Sequence, residues 1–120
     1  MEKNVLGTNL KSCSLQPMTG YFRDGQCRTA SDDFGTHILC AQVTSEFLEY
    51  SKSQGNDLTR AIPGSSFKGL QDGDKWCLCV SRWIEAHHAG VAPKIDLEAC
   101  HESLLNYVDI QTLKQYSMHK

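Results

Sequence analysis

Residues Lys75 to Trp83 read KWCLCVSRW, a Cys-x-Cys pair set between the only two tryptophans of a 120-residue chain. Read as a strand from Trp76 to Val80, this stretch puts Cys77 and Cys79 on one face and Trp76, Leu78 and Val80 on the other. Both faces are then apolar or thiol, the pattern of a strand buried on both sides. Ser81 is placed to cap the following helix, RWIEAHHA, which Gly90 ends and Pro93 keeps from resuming.

Upstream, His37 to Val43 (HILCAQV) reads as another strand. Thr44 then opens a helix as its N-cap, with Glu46 in the first turn and Val43 and Leu48 placed as a hydrophobic staple. Gly55 supplies its left-handed stop. Between Gly55 and Lys75 periodicity gives way to Gly, Ser, Asp and Pro63. A connection of this length in a small domain is more often functional than passive. Asp24-Gly25, within YFRDGQCRT, is the strongest local signal for a two-residue hairpin. Downstream, Lys94 to Ala99 alternates as a third strand. Two short helices follow, one from Glu102 to Tyr107 and one capped by Asp109. Strands alternating with helices permit a small parallel α/β sheet, whereas the hairpin argues for an antiparallel part; the pattern leaves both open.

The whole chain, 1–120, reads as a single domain, large enough to bury a core without disulfides or metal. With 40% hydrophobic and 22% charged residues it has a globular composition, and a net charge of −2 gives no footprint for nucleic acid. The N-terminal MEKNVLGTNLKSC has no apolar run, no segment is long enough to span a bilayer, and no lipidation motif is present, so we expect no membrane partner and a cytoplasmic location. Six cysteines in such a compartment are expected to be reduced thiols. Cys77 and Cys79 in a strand would have Cα atoms about 6.6 Å apart, close to the limit for a bridge.

No P-loop, G-x-G-x-x-G, H-E-x-x-H or G-x-S-x-G is present, and any cofactor is left unknown. Core packing is the simplest role for the Cys77–Cys79 pair, since buried free cysteine behaves as a small hydrophobe. C-x-C alone falls short of zinc spacing; no metal is expected, and were one bound, Cys77, Cys79, Cys40 and Cys13 would be its ligands. In DDFGTHILC, Asp33 is placed to orient His37 at the mouth of a strand, where a thiol such as Cys27 would complete a catalytic set. Against this stands an Asp-capped turn with a histidine at a strand edge. Arg23, Arg28 and Arg82 are candidate anion ligands, or else surface ion pairs and ring-stacked side chains. His87-His88 suits a helix C-terminus without any metal, and His101 reads as a ligand or a cap.

Taken together, NVLG, PMTGYFRDGQC, DDFGTHILCA, FLEYSKSQGNDL, GDKWCLC with RW, and AGVAP followed by LEACHE resemble a family of small, uncharacterised, mainly bacterial proteins known as a domain of unknown function. The resemblance covers nearly everything from Asn4 to Tyr116. It implies an α+β fold, a compact two-layer sandwich of a small mixed sheet with helices on one face, and it supplies no activity. The chain departs from the family pattern at Gln26, where a second cysteine is common, at Cys100, usually Thr, and at Arg60-Ala61. The missing thiol at Gln26 counts against a metal. The expected site is a small-molecule or anion pocket with thiols in its wall, where Arg23 and Arg82 neutralise the ligand and Asp33 orients His37. Its rivals are a thiol-dependent enzyme, a Cys/His metalloprotein and a protein-interaction module using the long loop.

Overall fold

A computed structural model describes residues 2–61, 63–64 and 67–118. Three strands, β1 (Leu39–Gln42), β2 (Lys75–Leu78) and β3 (Lys94–Ile95), form one sheet in the order β2-β1-β3, with both pairings antiparallel. Helices α1 (Ser45–Ser53), α2 (Val80–His88) and α3 (Ile110–Gln115) complete an α+β domain, with short 3-10 turns over Leu97–Ala99 and Glu102–Asn106. The sheet is antiparallel where the resemblance implied a mixed one, and the parallel α/β alternative is excluded. The reason is connectivity: after α1 the long loop brings the chain back to the end where β1 finishes, Lys75 beside Gln42, so β2 runs against its neighbour.

Register assigns the faces. Cys40 lies opposite Cys77 and Gln42 opposite Lys75, while Leu39 pairs with Leu78, and Ala41 with both Trp76 and Ile95. Successive residues alternate sides, so Leu39, Ala41, Trp76, Leu78 and Ile95 share one buried face, and Cys40 and Cys77 meet on the other. The sheet is buried on both sides, as the KWCLC stretch predicts.

Local signals place the helices well. Thr44 caps α1 by accepting from the Phe47 N–H at 3.1 Å, and Gly55 stands beyond its end at φ +87°. Asp109 caps α3 through the Thr112 N–H at 2.9 Å. His101 is a cap as well, accepting from the Ser103 N–H at 3.1 Å. Three expectations are corrected. β2 stops at Leu78, and Cys79, not Ser81, is the N-cap of α2, because starting the helix at Val80 puts Val80, Trp83 and Ala86 on one buried stripe. The third strand keeps only Lys94–Ile95; Asp96 then turns its carboxylate onto the Glu98 N–H and ends the extended run.

No strand hairpin forms at Asp24-Gly25 either. The Gly25 N–H donates to the Thr19 carbonyl and the Gly25 carbonyl accepts from the Cys13 N–H at 2.6 Å. Its backbone bonds thus go to the 13–19 segment instead of across a ladder. Asn4, itself buried, directs its amide to Thr8, Asn9 and Glu98 and accepts from the Leu6 and Thr8 N–H groups. Every polar valence of that side chain is used, which fastens the first residues to the body.

The largest correction concerns the cysteines. Cys13 is disulfide-bonded to Cys40 and Cys27 to Cys77, with Cα separations of 5.6 and 5.3 Å. Burial of these residues was expected; their oxidation was not. Only Cys79 and Cys100 are free among the described residues. Cys100 is fully enclosed, receives the Cys40 N–H at 3.3 Å, and burial pushes its thiol up to about 12.

Candidate functional site

Two adjoining hollows open beside the edge strand β2. Gly20, Tyr21, Arg23, His37, Trp76 and Cys77 line the first, of about 140 Å³. The second, of about 220 Å³, adds Asn56, Leu58, Leu78, Cys79 and Arg82 to the shared His37, Trp76 and Cys77. Both are sized for a small ion and its waters, not for a large metabolite.

His37 is the common wall, and the DDFGTH loop is folded around its placement. Asp33, whose side chain is almost wholly enclosed, accepts from the His37 backbone N–H at 3.0 Å, from the Thr29 hydroxyl at 3.0 Å and from His37 Nδ1 at 2.7 Å. Because a carboxylate only accepts, Nδ1 carries the proton, and Nε2 is left as the ring's second polar position. Gly35 has no side chain for a reason: a Cβ there would collide with the imidazole. Thr36 takes the left-handed conformation at φ +50°, a costly choice for a β-branched residue, beside the residue the loop presents. Its carbonyl accepts from the N–H of Val80, linking the loop to the start of α2.

Burial works to raise the Asp33 carboxyl, but the His37 and Thr29 hydrogen bonds outweigh it and hold the group below its ordinary value of 3.8. A depressed carboxyl stabilises the fold above its unfolded-state value, and that stability is lost as pH falls through the folded one. Asp33→Asn should therefore cost about 2 kcal/mol at pH 7, since an amide offers donors where three donors already point. The gap to the parent protein should shrink at pH 3, a comparison read from urea midpoints at the two pH values.

Arg23 lines the first hollow and Arg82 the second. The Arg23 guanidinium lies 5.2 Å from the Trp76 ring centroid, on backbone at φ +56°. Among the described residues no carboxylate is within ion-pair reach of it. Arg82 is already shared, donating to the Gln54 carbonyl at 3.2 Å and lying 3.4 Å from Glu85. Arg28 lies apart from both hollows, paired with Asp24 at 2.6 Å and set over the Phe22 ring. His87 stacks on Trp83 with centroids 5.4 Å apart.

Arg23 thus lines the first hollow and Arg82 the second, with His37 shared and held by Asp33, whereas Cys27 does not join them as a nucleophile. Its sulfur is fully buried and bonded to Cys77. The thiol that lines the cleft is Cys79, half-buried and 3.2 Å from the Ser81 hydroxyl. Asn56 and Leu58, within the GNDL turn, also escaped sequence reasoning as lining residues. The sequence reads GNDL as a turn after a helix, which gives no signal that its side chains line a hollow. Of the four sulfurs named as conditional metal ligands, Cys77, Cys40 and Cys13 lie in the bridged pairs and Cys79 does not; Cys27 takes the remaining place.

Over residues 3–117 the chain matches the family described as an uncharacterised protein conserved in bacteria (DUF2237), and it belongs to that family. No curated protein matches it. No helix among the described residues is long and apolar enough to cross a membrane.

Proposed function

We propose that the cleft binds a small anion, a carboxylate or phosphate group, between Arg23, His37 and Arg82. One observation carries this: two cations distant in sequence flank a single imidazole held in place by an enclosed carboxylate, and one of them, Arg23, has no ion-pair partner among the described residues. Planar guanidinium groups suit carboxylate and phosphate oxygens, and the Trp76 ring keeps Arg23 from collapsing onto the surface. The disulfide-bonded Cys77 forms part of the back wall. We propose a cytosolic setting as well, where dithiol reductants prevail and both bridges would be open to reduction.

Inorganic phosphate and acetate, titrated while amide and indole NMR resonances are followed, test the reading. Shifts confined to Arg23, His37, Trp76 and Arg82 are expected. Arg23→Ala should weaken binding roughly 10- to 100-fold, the range of a lost charged hydrogen bond. Arg82→Ala should weaken it less, because that guanidinium is divided among existing partners. Shifts scattered over the surface, or an unaltered Arg23→Ala variant, would sink the proposal.

A further inference from the structure

The two disulfides are neighbours. The Sγ atoms of Cys13, Cys27 and Cys77 all lie within 4.8 Å of one another, and the fourth sulfur, on Cys40, is bonded to that of Cys13. Register explains the crowding. Cys40 and Cys77 stand opposite each other across β1 and β2, on the same face. Each is joined to a cysteine of the N-terminal loops instead of to its cross-strand partner. The Cys13 N–H bound to the Gly25 carbonyl ties the N-terminal loops to each other, and the Cys77 N–H bound to the Thr19 hydroxyl at 2.9 Å holds them against β2, both independently of the bridges. Thr19 is itself fully buried, so this anchoring is internal.

We propose that this four-sulfur cluster has a second state: when reduced, Cys13, Cys27, Cys40 and Cys77 form a tetrathiolate site for a soft divalent ion such as Zn²⁺. A tetrahedral ion with metal–sulfur bonds of about 2.3 Å sets its sulfurs about 3.8 Å apart. Three of the sulfurs already lie within an envelope of 4.8 Å; Cys40 stands outside it, bonded to Cys13, and is the one whose side chain must turn inward to complete the set once the bonds are broken. The chemistry balances. Each bridge takes two electrons and two protons from a dithiol, which leaves as its own disulfide, and two such exchanges yield four thiols. Uptake of the ion then forms four metal–sulfur bonds, releases four protons and leaves a net charge of −2 on the site. Cys77 backs both hollows, which gives the reductant a route to the otherwise enclosed cluster. Neither Cys79 nor Cys100 belongs to the set; the first lies in the cleft and the second is engaged with the Cys40 backbone. The site stands on the sulfur geometry alone, whether or not an anion occupies the cleft.

Full-length protein reduced anaerobically with a phosphine and titrated with Co²⁺ decides the matter. The expected result is one ion per chain, with the visible bands of tetrahedral thiolate-bound cobalt, displaced by Zn²⁺, and none in the oxidised protein. Serine at Cys13, Cys27, Cys40 or Cys77 should weaken binding by more than the roughly 10–100-fold that loss of an outer-shell partner costs. Serine at Cys79 or Cys100 should leave it unchanged. Near-ultraviolet circular dichroism of the tryptophans guards against reduction merely unfolding the chain: the cobalt-loaded protein should show the native signal. Cobalt bound without thiolate bands, equal binding by oxidised protein, dependence on Cys79, or a reduced chain that cobalt does not return to the native signal would each overturn the proposal.

Discussion

Replacing both Cys27 and Cys77 with alanine is expected to destabilise the folded protein by about 4 kcal/mol, the unfolded-chain entropy released when a loop of this length is opened. The bridge spans a sequence separation of 50, and its companion Cys13–Cys40 spans 27. The second pair should therefore cost slightly less, about 3.5 kcal/mol on the same scale. The bridges interleave along the chain, and their sulfurs lie side by side, so the two deletions should not add. Urea unfolding of each double variant measures this directly. A midpoint within error of the parent for the Cys27–Cys77 pair would mean that the bridge contributes nothing. Alanine at both positions, instead of one, matters, because a single change would leave a new free thiol in the cluster. The site should also feel the loss, since Cys77 backs both hollows and the bridge ties β2 to the loop that carries Arg23.

Trp83→Ala should cost about as much, roughly 4 kcal/mol, and lower the melting temperature by on the order of 15 °C. Trp83 is the largest fully buried side chain among the described residues. It stacks against His87, meets the Tyr116 ring edge-on at 5.2 Å and donates its indole N–H to the Pro93 carbonyl at 3.2 Å. Truncation therefore opens a cavity and strands a buried carbonyl, two separate penalties. Trp83→Phe separates them. It keeps most of the apolar volume and loses the hydrogen bond, so a smaller cost, about 1–3 kcal/mol, is expected. Trp83 also lies on α2, next to Arg82. A loosened helix should weaken phosphate binding in proportion to the stability lost, whereas Arg23→Ala should weaken binding with the melting temperature nearly unchanged. Thermal melts paired with phosphate titrations distinguish the two.

What was legible in advance follows the range of the interaction. Thr44, Gly55 and Asp109 act within a few residues of themselves, so helix ends at those places could be read from the chain. Asp33 reaches His37 across one tight turn, and DDFGTH carries that pairing in its spacing. The start of α2 was misjudged for the opposite reason. Ser81 is a good cap by type, but the core admits a stripe of Val80, Trp83 and Ala86, and that burial moved the start to Cys79. Asp24-Gly25 is a hairpin signal that fails because neither flank finds a strand partner; the backbone groups of Gly25 are taken by Thr19 and Cys13.

By itself, then, the chain determined its two-sided buried strand, the caps of α1 and α3 and the burial of most of its cysteines, all set by local periodicity and local hydrogen bonding, while its α+β class was legible only through the family resemblance. Only the tertiary structure decided which sulfurs meet, that Arg23 and Arg82 line adjoining hollows that share His37, and that Cys79 lines the second while Cys77 backs both. Those outcomes depend on how loops far apart in sequence dock on the two faces and one edge of the sheet, and residue spacing carries no record of that docking.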